Sequence, residues 1–484
     1  MKSSKNLDIK DLNADIVVIG SGGGGLMAAV TAAQKGAKVI VLEKRRTLGG
    51  NSVMVEGIFA AESAPQKRQG IEASRDKIFK MAMEYARWTI NPRLIRAIID
   101  RSADTVQWLE DEGVILDYII PLYNDQPFLT WHCHPQKAGP FIIKALVKNC
   151  KDLGVRLLYK TPAKKLLLDK NGQITGVLAE TAGKEFTITS SSVIIATGGY
   201  AGNKELLYKY YPYYPDNIEI GGIPHTGDGI LMAIEIGAAT EGLGTLLMSG
   251  PSFRAAKQTT QVGFISAEPN TIWVNKNGER FIDEALELVP ETGNALNRQP
   301  EGISYSLFDE QIKKSVCEGG TVKGVFSSRP GTKLTELDKE LQLEGAAGTV
   351  KISNSLDDIA RWIGASPEAL ETTIVEYNSS CDRGYDGVFA KDRKYLQPLR
   401  TPPYYAAKCG RSILTTVGGI KINHRTEVIN LQGKAIPGLY AVGNDAGGWE
   451  PEIYDLALAG FAQGFALNSG RIAGENAANY SLAK

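Results

Sequence analysis

The chain opens on short apolar runs separated by glycine-rich breaks. Residues 15–19 form an apolar run of strand length, Gly20-Ser21-Gly22-Gly23-Gly24-Gly25 follows, and residues 26–34 are rich in helix formers. Residues 37–42 are a second apolar run that ends at Glu43. This order predicts a βαβ unit with G-x-G-x-x-G in its first turn and an acidic residue about 20 positions further on. Two later apolar runs end in polar or glycine turns. One runs through residues 193–195 into Ala196-Thr197-Gly198-Gly199, the other through residues 436–442 into Gly443-Asn444. Residues 356–378 read as two short helices joined at Ala365-Ser366-Pro367, with Ser366 as N-cap and Pro367 in the first helical position. From Gly460-Phe461-Ala462 onward, small residues predict a last helix that runs towards Gly470-Arg471.

The glycines carry a chemical implication. A turn built of Gly20, Gly22, Gly23, Gly24 and Gly25 can run tight against a pyrophosphate. The following helix start offers free N–H groups and a positive dipole end, and Glu43 can accept from a ribose hydroxyl. Lys44 and then Leu48-Gly49-Gly50-Asn51-Ser52 extend the motif beyond what a nicotinamide site needs, as a flavin site does. The predicted helix start at Gly460-Phe461-Ala462 can point N–H groups at the anionic edge of a reduced flavin.

Composition narrows the class. Lys plus Arg and Asp plus Glu are 54 each, which argues against a nucleic-acid binder. Apolar residues are 43% and charged residues 22%, an ordinary globular balance. No stretch reaches about 18 consecutive apolar residues, so no membrane span is expected. The first 15 residues are polar and lack the apolar core of a secretory signal. The five cysteines stand singly, without C-x-x-C, so no disulfide framework is expected and a cytoplasmic location is. Trp131-His132-Cys133-His134 lacks a second ligand pair, so no metal is expected.

Taken together the motifs resemble the flavoprotein family of fumarate reductase and succinate dehydrogenase, in its soluble branch with 3-ketosteroid dehydrogenases. The marks are the N-terminal unit with Leu48-Gly49-Gly50-Asn51-Ser52, the turn Thr226-Gly227-Asp228-Gly229, and Asn275-Lys276-Asn277-Gly278-Glu279-Arg280-Phe281. Thr416-Val417-Gly418-Gly419 and Gly470-Arg471-Ile472-Ala473-Gly474 complete them. The resemblance implies an α/β fold: a Rossmann-like (glutathione-reductase-type) FAD-binding domain with an inserted α+β capping domain. The expected boundaries are 1–242 and 379–484 for the FAD-binding parts and 243–378 for the cap. It also implies FAD, bound non-covalently because no histidine stands beside Asn51-Ser52, with Ala163, Ala196, Thr197, Gly198 and Asp228 among the cofactor contacts.

The catalytic pattern departs from that family. The arginine expected after the N-x-x-G-x-R-F stretch is absent from residues 283–293, the histidine before T-x-G-G falls near Leu414 or Thr415, and the carboxylate-clamping arginine falls within residues 454–458. Losing such charge-assisted bonds makes a dicarboxylate a poor substrate. The remaining acid is Tyr454, where ketosteroid dehydrogenases carry a catalytic tyrosine. Asp455 is its expected partner, or a helix N-cap, and His134 is a further candidate for substrate contact. The expected reaction is reduction or formation of a C=C bond conjugated to a carbonyl, by hydride transfer at flavin N5, on a ketone or enone (cyclic, steroid-like or aryl). One alternative is an enoate or arylacrylate reductase clamped by Arg254 or Arg298. Another is a non-catalytic flavin-bound electron carrier. The sequence leaves the electron donor open among NAD(P)H, a reduced flavin and a carrier protein.

Overall fold

The computed structural model describes residues 12–122, 126–211, 213, 215–286, 290–323, 330–454 and 457–484. The opening unit forms as its pattern demands: strand β1 (Ile16–Ile19), helix α1 (Gly23–Gln34) and strand β2 (Val39–Glu43). Strands β3 (Arg156–Tyr159), β4 (Ser192–Ile195), β5 (Glu427–Ile429) and β6 (Ala435–Ala441) complete a six-stranded sheet of order β5-β6-β4-β1-β2-β3. All pairs are parallel except β5–β6. Every residue of β1, β2 and β4 is buried, which is why these strands read as continuous apolar runs rather than alternations.

The last helix, α2 (Phe461–Leu482), packs against α1. Small residues make that approach possible. A methyl group at Gly470 would stand 2.4 Å from the Gly24 carbonyl oxygen, and one at Gly474 would stand 2.5 Å from that of Ala28.

Two compact units result. One comprises the chain up to Tyr211 with Gly222–Leu247 and Leu414–Lys484; the second comprises Pro212–Gly221 and Met248–Ile413. The second unit is α+β. Its sheet runs Ile218–Ile220, Tyr404–Thr416, Ile303–Asp309, Ile272–Val274, and its core includes Phe308, Leu337, Leu370 and Tyr405. Helices Leu356–Ile363 and Pro367–Arg383 occupy the predicted positions, and the Ser366 hydroxyl accepts from the Ala369 N–H.

These boundaries differ from the expected 243–378. Residue 378 lies inside helix Pro367–Arg383, and a polar, proline-bearing stretch follows it. It leads into the strand Tyr404–Thr416, which pairs with both Ile303–Asp309 and Val350–Ser353. The chain therefore leaves the second unit at 413 rather than 378.

Candidate active site

The turn after β1 is shaped by close backbone contacts. Gly20 has φ 105°, and a methyl group there would stand 2.2 Å from the Ala196 carbonyl oxygen. One at Gly25 would stand 2.1 Å from the Gly20 carbonyl oxygen. Gly22, the N-cap of α1, differs: its φ is −68° and nothing lies within 4 Å of an added methyl group. Space is open there, Gly22 itself has no side chain to cap the helix, and Ser52 takes the Gly23 N–H. The orphan N–H groups of a helix start need a partner, and an anion satisfies them.

Several side chains expected at the cofactor are spent on fixing the backbone. The Glu43 carboxylate accepts from the Ser21 N–H (3.2 Å), the Ser21 hydroxyl and the Arg45 N–H (2.8 Å). The Ser52 hydroxyl accepts from the Gly23 N–H (3.1 Å) and donates to Gln463 Oε1 (2.8 Å). The Gly49 N–H donates to the Ser21 carbonyl, with Gly49 left-handed at φ 108° and a 3-10 turn following over Gly50–Met54. Asn51 accepts from the Ile223 N–H (2.7 Å) and donates to the Leu414 carbonyl (3.1 Å). Lys44 pairs with Asp228 at 2.7 Å and donates to the Thr226 hydroxyl. Ala163 is buried at the start of strand Ala163–Leu168.

The ends of β4 and β6 meet in one network. Asp445 is fully buried, and its carboxylate accepts from the N–H groups of Thr197, Gly198 and Gly199 and from the Thr197 hydroxyl. Burial pushes its carboxyl up against the opposing pull of these hydrogen bonds. Asn444 donates to the Thr415 hydroxyl (3.0 Å), and the Gly443 N–H donates to the Ser469 hydroxyl (3.1 Å). The sequence pattern stops at Asn444 and misses Asp445 and Gln463. A G-x-G-x-x-G signature does not identify an acid that bonds from a different strand end.

Gly460 is left-handed (φ 82°) and caps α2 without a side chain, as the small-residue pattern predicts. Phe461 packs edge-on to Phe59 at 5.2 Å, while Trp449 stacks on Phe465 at 4.2 Å; Ala462 is half-buried. Tyr454 is buried, and Asp455 lies outside the described residues. His134 is half-buried, stacks on Phe141 at 4.0 Å and accepts from the Gln136 N–H. His132 is fully buried between the Ser63 hydroxyl (2.6 Å) and the Thr130 carbonyl (2.9 Å), and burial pulls its pKa down to about 4.

The residues fit FAD. Open space stands at Gly22, an N-cap without a side chain, and the buried Asn444 Oδ1 and Gln463 Nε2 have no hydrogen-bond partner among the described residues. The family described as FAD binding domain matches residues 15–452. The chain belongs to that family. It is an FAD-dependent oxidoreductase, which removes the non-catalytic carrier reading. Over 482 residues it is 34% identical to a vinyl phenol reductase of Lactiplantibacillus plantarum, covering 96% of this chain and 97% of that one. Among solved structures it is similar to the open conformation of a flavocytochrome c3 fumarate reductase, with TM-score 0.77 and 28% identity over 97% of this chain and 79% of that one. A 3-ketosteroid-Δ4-(5α)-dehydrogenase from Rhodococcus jostii shares the fold, with TM-score 0.76 and 22% identity over 98% of both chains. Among the described residues no helix is long and apolar enough to cross a membrane.

Proposed function

We propose that this flavoprotein reduces, or in reverse forms, a C=C bond in an uncharged conjugated substrate, an enone or an aryl alkene. FAD, when bound, supplies hydride chemistry at N5. The chain's own task is to hold the alkene, exclude water and deliver a proton to the carbon that does not take hydride. We assign the proton, or the polarising hydrogen bond, to the Tyr454 hydroxyl.

The observation that carries the uncharged substrate is the state of the cations. Arg254 is tied down by the carbonyls of Asn217 and Arg411 and by Glu219 at 2.8 Å. Arg298 is exposed to solvent. Leu414 and Thr415 stand where the resemblance expects a histidine; Thr415 is buried against Asn444, and Leu414 presents an apolar side chain that is 45% exposed. A relative named for vinyl phenol, a neutral aryl alkene, supports the same reading.

We further propose that FAD is held non-covalently, since the stretch Leu48-Gly49-Gly50-Asn51-Ser52-Val53 contains no histidine. The five cysteines, all unpaired, support a cytoplasmic location. The sequence carries one G-x-G-x-x-G, so a reduced flavin or carrier protein is the proposed electron donor.

The test is anaerobic photoreduction of the purified holoprotein followed by stopped-flow reoxidation with enones, 4-vinylphenol, acrylates and fumarate. Fast reoxidation by the neutral alkenes is expected, and fast reoxidation by fumarate would overturn the substrate argument. Tyr454→Phe should slow reoxidation with FAD retained; unchanged rates would remove Tyr454 from the mechanism.

A further inference from the structure

We propose that Asp445 is a cofactor-positioning residue: an internal anion that shapes the 197–199 turn so that FAD meets a preformed wall. Its carboxylate accepts from the Thr197 N–H, the Gly198 N–H at 3.2 Å, the Gly199 N–H at 2.9 Å, and the Thr197 hydroxyl at 2.9 Å. Successive backbone N–H groups converging on one point form a nest, a geometry that elsewhere cradles phosphate. Here the protein fills the nest with its own fully buried carboxylate. The turn is therefore held before any cofactor arrives, and the pyrophosphate is left to the open α1 terminus at Gly22.

The turn has no latitude in its shape. Gly198 and Gly199 are left-handed at φ 91° and 86°. A methyl group would stand 2.8 Å from His225 Nε2 at Gly198 and 2.4 Å from Thr416 Oγ1 at Gly199. The strand end just before it, at Ala196, is the surface on which Gly20 rests. The Thr197 hydroxyl also accepts from the Gly229 N–H at 3.2 Å, beside Asp228 and its partner Lys44. Asp445 thus holds the 197–199 turn, itself expected at the cofactor, and acts through Thr197 on two further segments expected there, the Gly20 turn and the Lys44–Asp228 pair. It touches neither, so its role is positional.

The experiment titrates FAD into apoprotein, follows flavin fluorescence, and measures melting of both forms. Asp445→Asn keeps the volume but turns an amide donor towards N–H donors. Its FAD dissociation constant should rise at least about tenfold, equivalent to roughly 1.4 kcal/mol. The FAD-induced rise in Tm should shrink with it, while the apoprotein Tm stays close to wild type. Thr197→Val removes the hydroxyl bonds alone and should weaken FAD less. Combined with Asp445→Asn, its effect should fall short of additive, because the two act through shared bonds. Wild-type affinity in Asp445→Asn overturns the proposal, as does a fall in apoprotein Tm without loss of affinity. Should Asp445→Asn fail to fold, wild-type affinity in Thr197→Val overturns it equally.

Discussion

The two units of this chain differ in a cluster of buried charges that pair with one another, which belongs to the second unit. In the first unit, the buried Glu43, Ser52 and Asp445 and the half-buried Asn51 bond largely to backbone N–H groups and carbonyls, and Gly20, Gly25, Gly198 and Gly199 leave no room for a side chain. In the second, Glu268, Asp309 and Glu344 also accept from backbone N–H groups, but one further cluster of charged side chains bonds to itself. Arg280 pairs with Glu284 at 2.8 Å and Asp386 at 3.0 Å, and Lys391 pairs with Glu284 at 3.1 Å. Arg280 also lies between the rings of Tyr377 (4.9 Å) and Phe389 (5.0 Å). Burial alone would raise the Glu284 carboxyl, but Lys391 and Arg280 outweigh it and hold it below the ordinary range. The difference teaches what each unit is built to present. In the first, polar groups spent on the backbone sculpt a surface for a ligand. In the second, polar groups spent on each other only hold a core together.

The sharpest way to break this comparison is to strand a charge. Arg280→Met leaves Glu284 and Asp386 buried with Lys391 as the one remaining cation of the cluster described above. Removing one partner of such a network costs roughly 3–5 kcal/mol. Urea unfolding should show the second unit melting early while the protein still binds FAD. A variant as stable as wild type would mean that the network is solvated after all.

Acid should separate the units next. Burial pulls the pKa of both His132 and His225 down to about 4, and both lie in the first unit. The unfolded chain takes up protons near pH 6.5 that the folded one refuses. Stability of the first unit therefore falls as pH drops from about 6.5 to about 4, by up to roughly 3 kcal/mol per histidine. Asp445, whose carboxyl is raised, works in the opposite direction at acid pH. Glu284 and Asp386 are both lowered, burial notwithstanding, so the second unit keeps their contribution until pH falls below the ordinary carboxylate range. Stability measured between pH 7 and 4 should fall in the first unit alone, and His132→Gln should flatten the curve.

Much of this was legible in the sequence, for a physical reason. A parallel sheet buried on both faces writes itself as apolar runs, and close backbone approach writes itself as glycine, so β1, α1, β2 and the start of α2 stand where the pattern puts them. Asp445 was not legible because its partners, 246–248 residues away, meet it only once β4 and β6 pair. The boundary at 413 was hidden because strand Tyr404–Thr416 begins beside prolines that look like linker. Gly470→Ala tests the legible part. A methyl group 2.4 Å from the Gly24 carbonyl should overpack the helix pair and destabilise by about 1–3 kcal/mol, read as a drop in Tm.

The smallest effect on stability should be the most informative about function. Gly22 alone among the glycines at 20–25 has nothing within 4 Å of an added methyl group, and its φ of −68° suits any residue. Gly22→Ala should leave apoprotein Tm unchanged or slightly raised, since it lowers the entropy of the unfolded chain by about 0.4–1 kcal/mol. If the open space is reserved for the pyrophosphate, the same methyl group should weaken FAD binding at least about tenfold. Gly470→Ala should do the reverse, lowering Tm first and affinity only as a consequence. A Gly22→Ala protein that binds FAD as tightly as wild type would show that the cofactor's phosphates do not rest on this turn, and the division between a ligand-shaped unit and a self-satisfied one would lose its foundation.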